Sequence, residues 1–150
     1  MQEIVIRLSI VVVIGAVVVL LVWLGRRFVE AQRRKALAAT PWSLLVGAGN
    51  MLEADHSLIR ILAFKSPDCH QCRELQEPAL QRVLEARRDT VTIVNVDATS
   101  EHELVQTYRV LTVPSTVILD TKGQARAINY GFADTQRLLE QIDEVLVTNG

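Results

Sequence analysis

The chain has 150 residues, 49% of them apolar, with a formal net charge of −1, and its length favours one globular domain. The charge is divided: residues 1–42 carry six basic and two acidic side chains, while the remainder carries ten basic and fifteen acidic. An acidic folded part excludes nucleic acid as a partner, since that needs a basic face.

The apolar residues are concentrated at the N-terminus. Ile4–Leu24 is a run of 21 mostly aliphatic residues, about 31 Å long as a helix. A bilayer's hydrocarbon core is roughly 30 Å thick, so the run is expected to span it once. Arg7 can snorkel to one interface, and Trp23 suits the other. A cleaved signal peptide fits less well, because the apolar part is long and the residues before it hold one Arg and one Glu. Arg26, Arg27, Arg33, Arg34 and Lys35 follow the span, where they would meet lipid headgroups. The positive-inside rule then places the rest of the chain in the cytoplasm, with the extracytoplasmic side as the alternative. The expected division is an anchor over residues 1–25, a basic helical connector over 26–41 and a folded domain over 42–150.

Arg26 to Ala39 is rich in helix formers and should continue the membrane helix as far as Thr40-Pro41. Residues 42–46 are ambiguous between helix and strand, and Met51 to Ser57 is a polar approach to the next element. Leu58–Phe64 is a short apolar run that predicts a strand buried on both faces. From His70 to Arg88, the apolar residues Leu75, Ala79, Leu80, Val83, Leu84 and Ala86 recur at helical spacing. Pro78 should kink that helix.

Thr90–Val96 predicts a second strand, ending in a turn at Asp97. Glu101–Tyr108 predicts a short helix with Ser100 as N-cap and Glu103 three residues on. Thr116–Leu119, a turn at Asp120–Gly123 and Gln124–Tyr130 predict a hairpin. Gly131 ends it, and Asp134–Val147 is an amphipathic helix. The order β-α-β-α-β-β-α, with a parallel first pair and an antiparallel last pair, implies a mixed sheet with helices on both faces.

Both cysteines of the chain, Cys69 and Cys72, lie between the first strand and its helix. The N–H groups and dipole at a helix start favour a thiolate over a thiol. Two thiols at this spacing form either a redox pair or half of a metal site, or are incidental. A zinc site needs four Cys or His ligands. His56, His70 and His102 are scattered and there is no second cysteine pair, so no metal is expected. Haem attachment needs His directly after the second cysteine, where Arg73 stands. No cofactor is expected either.

A Cys-x-x-Cys pair in a βαβ setting resembles the thioredoxin-like family. Pro78 in the cysteine-bearing helix, Val96-Asp97 ending the next strand, Tyr108-Arg109-Val110 before Thr112-Val113-Pro114, the hairpin at Thr116–Asp120 and Gly131 before the last helix all match its pattern. The resemblance runs from about Leu58 to the C-terminus, with Trp42 as the alternative start. It implies a thioredoxin-like three-layer sandwich acting as a thiol–disulfide oxidoreductase, here preceded by the one transmembrane helix expected from the apolar run. It also implies that Pro114 is a cis-proline beside the cysteines and that the Val113 backbone pairs with an extended substrate. Cys69 would be the nucleophile and Cys72 the resolving thiol, the two closing to a redox disulfide. Asp68 and His70 would modulate the Cys69 thiolate with opposite signs.

The chain also departs from thioredoxins proper. Asp68 replaces the Trp before the first cysteine, His70-Gln71 replaces Gly-Pro, and Ala63 stands where the family has a buried acid. Proton transfer at Cys72 therefore needs another route, for which water, Lys65 and Glu74 are candidates. The expected function is a membrane-tethered oxidoreductase, acting as a reductase on protein disulfides with a thiol protein as electron donor or acceptor. The alternative is a redox-sensing or scaffold module that binds a membrane protein partner. Asp97 is expected to cap the strand end, and Tyr108 and Tyr130 to pack.

Overall fold

The computed structural model describes residues 2–38 and 59–149. The segment predicted as helix end, ambiguous element and polar approach, over residues 39–58, lies outside the described residues, as does His56. The chain divides into two compact units, Met1–Arg34 and Lys35–Gly150.

Helix α1 (Gln2–Leu37) has 36 residues, about 54 Å at the α-helical rise. It runs unbroken from the apolar stretch through the basic one, because Arg26 to Leu37 contains no helix breaker beyond favourable formers. Among the described residues it is the helix long and apolar enough to cross a membrane, with a mean hydropathy of 2.2. Its large side chains from Val12 to Leu24 are exposed. Arg27 lies over the Trp23 ring at 4.8 Å, and Glu30 pairs with Arg34 at 3.8 Å one turn on.

In the second unit, strand β1 (Ile59–Lys65) is followed by a π-helical turn (Cys72–Gln76) that passes directly into helix α2 (Glu77–Ala86). Next come β2 (Val91–Asp97), α3 (His102–Thr107), the hairpin β3 (Ser115–Leu119) and β4 (Ala125–Tyr130), and α4 (Thr135–Asn149). The sheet order is β2-β1-β3-β4. β1 and β2 are parallel, and β1–β3 and β3–β4 are antiparallel. This is a thioredoxin-like mixed sheet.

Strand alternation sends successive side chains to opposite faces, and two cores result. Ile59, Ile61 and Ala63 pack with Leu80 and Val83 of α2 and with Leu138, Ile142 and Val145 of α4. Leu62 and Phe64 pack on the other face with Leu104 and Tyr108, beside α3. Phe64 and Tyr108 meet edge to face, with centroids 6.3 Å apart. A register shift opposite Ile118/Leu119 leaves Arg126 as the extra residue of β4. Ala125 and Ala127 consequently join opposite cores, as a bulge requires.

The helix irregularity expected at Pro78 is present: helical backbone runs from His70 to Ala86, and the π-turn lies directly before Pro78, where a proline has no N–H to donate and its ring crowds the preceding turn. One local expectation is corrected. Ser100 is not the cap of α3. That position falls to Glu101, with no side-chain cap bond, and Ser100 Oγ instead donates to the Asp97 carbonyl at 3.4 Å.

Candidate functional site

β1 delivers the chain to the loop 66–68, and the Cys69 N–H closes a turn on the Ser66 carbonyl at 3.1 Å. Helical backbone begins at His70. Cys69 and Cys72 are joined by a disulfide, S–S 2.06 Å, with Cα atoms 5.3 Å apart. The Cys72 N–H points at Cys69 Sγ from 3.1 Å. Cys72 is 2% exposed, whereas Cys69 is partly open. Arg73 donates from Nη1 to the Pro67 carbonyl at 2.6 Å, and its N–H donates to the Cys69 carbonyl at 3.4 Å. These bonds tie the loop to the helix start.

Cys72 lines a cavity of about 210 Å³ together with Lys65, Ser66, Pro67, Arg73, Glu77 and Asp97. Lys65 Nζ and Glu77 Oε1 pair there at 2.9 Å. Asp97 Oδ1 accepts the Thr99 hydroxyl at 2.7 Å and the Thr99 N–H at 2.8 Å. These bonds, the hydroxyl first, hold the Asp97 carboxyl below its ordinary range. Asp97 therefore fixes the turn after β2 and also borders the cavity.

The strand register brings the second group of expected residues to the same end of the sheet. Phe64 lies opposite Ser115, and Ser115 opposite Tyr130. Pro114 and Gly131 thus sit where β1 hands over to the cysteine loop. The Val113–Pro114 peptide is cis. Pro114 is buried and Val113 partly so, and the Pro114 carbonyl accepts the Gly131 N–H at 2.9 Å. Neither Val113 nor Pro114 lines the cavity behind Cys72, and nor do Asp68 and His70, which are exposed beside Cys69.

Sequence reasoning missed two residues. Gln76, at the end of the π-turn, is 3% exposed. It donates to the Ala133 carbonyl at 3.1 Å and accepts the Ala133 N–H at 3.0 Å, clamping the turn to the loop after β4. Glu77 borders the cavity, whereas Glu74, considered for a role at Cys72, is exposed outside it. Helical periodicity does not separate these three residues from ordinary surface positions. Lys65, named alongside Glu74, does line the cavity.

Tyr108 is a core residue, and burial pushes its hydroxyl up to about 12. Tyr130 donates its hydroxyl to the Tyr108 carbonyl at 3.3 Å. His102 is exposed. Among the described residues, no group of three or more His, Cys, Asp or Glu could hold a metal ion.

A sheet of this topology, with a Cys-x-x-Cys disulfide at the head of a helix, defines a thiol–disulfide oxidoreductase domain. The thioredoxin family model matches residues 50–144, and the chain belongs to the thioredoxin family. A search of the curated proteins by sequence finds no match. Solved structures do match. Thioredoxin-2, titled a component of malaria parasite protein secretion machinery, is 17% identical with a TM-score of 0.53, covering 58% of this chain and 82% of its own. The germline-specific thioredoxin Deadhead of Drosophila melanogaster is 21% identical with a TM-score of 0.53, covering 60% and 83%. Chloroplastic thioredoxin z is 21% identical with a TM-score of 0.53, covering 61% and 81%. At these identities the likeness speaks for the fold.

Proposed function

We propose that this protein is a membrane-tethered protein-disulfide reductase in which Cys69 is the nucleophile and Cys72 the resolving thiol. The observation that carries the assignment is the asymmetry of the pair. Cys69 is partly open and receives the Cys72 N–H at 3.1 Å, while Cys72 is 2% exposed. An N–H aimed at a sulfur at a helix start favours the thiolate. The Cys69 thiolate attacks one sulfur of a substrate disulfide and releases the other as a thiolate. The Cys72 thiolate then attacks Cys69 Sγ, frees the second substrate sulfur and leaves the Cys69–Cys72 disulfide. Two electrons pass to the substrate, and a thiol protein returns them to the pair.

Val113 and Pro114, at the same end of the sheet, are assigned to the substrate-binding edge. Asp68 and His70, flanking Cys69, modulate its thiolate by charge. Residues 1–25 serve as the bilayer anchor, 26–41 as the basic connector and 42–150 as the redox domain. The apolar length of α1 supports the anchor, and the basic residues after it support a cytoplasmic domain. A reducing compartment favours the reductase direction.

The test is disulfide reduction by the full chain in liposomes, with Cys69→Ser as control, and a redox titration of the pair. Activity that vanishes in the control, with a potential below about −220 mV, is expected. A potential near about −120 mV would mark an oxidant and overturn the reductase direction. Cleavage of the domain by protease added outside intact cells would overturn the cytoplasmic placement.

A further inference from the structure

We propose that the π-helical turn Cys72–Gln76 exists to bring Glu77 over Cys72, so that the Glu77 carboxylate, positioned by Lys65, receives the Cys72 proton through the cavity they share. The inference rests on the cysteine roles proposed above. In a regular α-helix, residue i+5 lies about 140° around the axis from residue i. On that geometry Glu77 would face away from Cys72. Here the Glu77 N–H bonds to the Cys72 carbonyl, the i+5 closure that adds a residue to the turn and carries Glu77 round toward the Cys72 side, where both line one cavity. Single π-turns of this kind recur at functional sites.

The surroundings leave few alternatives for the proton. Ala63, pointing into the apolar core, offers no acceptor. The charged groups facing the cavity are Lys65 from the end of β1, Arg73 from the π-turn, Glu77 from α2 and Asp97 from the end of β2. Arg73 cannot accept a proton, and Nη1 is committed to the Pro67 carbonyl. Asp97 Oδ1 is committed to Thr99, and those bonds make its carboxyl a weaker base. Glu77 and Lys65 share the cavity with buried Cys72, and their side chains are 45% and 38% exposed to solvent. A cavity of about 210 Å³ has room for bridging water.

The step balances as follows. In the mixed disulfide, the Cys72 S–H gives its proton by way of water to Glu77. The Cys72 sulfur forms a bond to Cys69 Sγ, and the bond from Cys69 to the substrate sulfur breaks, with its electron pair leaving on the substrate. Glu77 then loses the proton to solvent. Lys65 is a positioning residue that holds the carboxylate at the cavity through the 2.9 Å pair.

The experiment mixes the reduced full chain in micelles with dithiobis(nitrobenzoate). One coloured thiolate leaves on Cys69 attack and a second on resolution by Cys72. Glu77→Gln should leave the first phase unchanged and slow the second about tenfold near neutral pH, below the full range for general acid–base catalysis because water competes. The deficit should close as the pH rises toward the thiol range. Glu77→Asp should recover part of the rate, and Lys65→Met should slow the second phase less than Glu77→Gln does. A Glu77→Gln second phase with the wild-type rate and pH profile overturns the proposal. So does a deficit that persists unchanged at high pH, since that marks a structural effect. Absence of both phases in the wild type would instead refute the cysteine assignment beneath it.

Discussion

Gln76 ties the π-turn to the loop after β4 with two hydrogen bonds, and its removal should be among the costlier single changes outside the apolar core. Its side chain donates to the Ala133 carbonyl at 3.1 Å and accepts the Ala133 N–H at 3.0 Å. Gln76 is 3% and Ala133 1% exposed, so water cannot replace the lost partner without a shift of the loop. A buried polar group left unpaired costs about 1–3 kcal/mol. Two such groups, partly relieved by loop movement, give an expected loss of about 3 kcal/mol. Gln76→Ala adds a cavity to this, whereas Gln76→Met fills similar space and isolates the hydrogen bonds. Urea unfolding of the full chain in micelles, followed by circular dichroism, measures the loss. Hydrogen exchange at the Ala133 amide locates it. If Gln76→Met stays within about 1 kcal/mol of wild type and the Ala133 amide remains protected, the clamp contributes nothing and the reasoning fails.

Tyr108 should impose an alkaline limit on stability. Burial raises its hydroxyl from the ordinary value of 10.0 to about 12. The unfolded chain therefore ionises first, and the contribution is complete below about pH 10 and lost as the pH rises through about 12. The loss is on the order of 3 kcal/mol, and an unfolding series across that window should show the slope in wild type and not in Tyr108→Phe. Asp120→Ala should cost about 3 kcal/mol. The carboxylate is fully buried, accepts the Lys122 and Gln124 N–H groups at 2.9 Å each, and takes Arg126 Nε at 2.8 Å. Arg126→Ala should cost less than Asp120→Ala, because the buried carboxylate loses its half-exposed cation but keeps its two N–H bonds. Equal losses in the two variants would contradict this division. Gly131→Ala should cost about 1–2 kcal/mol. The residue holds φ +87°, and a Cβ there would meet nothing within 4 Å, so the expense is backbone strain alone. A neutral effect in thermal unfolding would show that the backbone relaxes.

The order of elements was legible because each rests on a strong local pattern. Leu58–Phe64 is a continuous apolar run that forms a central strand one residue later, Ile59–Lys65. Asp120–Gly123 has the residues a turn demands, and Gly123 takes φ 74°. The cysteine pair stood out by spacing alone. The π-turn left no comparable trace. Of the six apolar positions at helical spacing only Leu75 precedes α2, so the pattern holds no second point from which to read a phase shift across the turn. Everything that depends on the phase, above all which of Glu74 and Glu77 faces Cys72, was hidden with it. Gln76 looked like a solvated helix residue because its partner, Ala133, lies 57 positions away. Ser100 lost its expected role to competition: Asp97, three residues earlier, bonds Thr99 with its side chain and Ser100 and Glu101 with its carbonyl, and the helix starts late.

Ala63 and the Lys65–Glu77 pair are two sides of one arrangement. Position 63 points into the core with Leu80, Val83 and Ile118 and is 4% exposed. A carboxylate there would carry a desolvation penalty of several kcal/mol unless paired. Alanine removes the penalty and keeps β1 apolar on both faces. The strand's next charge is the cation Lys65, two residues on, where the strand leaves the core and the side chain is 38% exposed, and the carboxylate of the arrangement is its partner Glu77. An ion pair at that depth costs little to hydrate and adds little stability, and Pro78, which lacks an N–H for the preceding turn, gives the π-turn its backbone cause. On the proposal above, the same turn would also serve the sulfur of Cys72 by carrying Glu77 to the shared cavity.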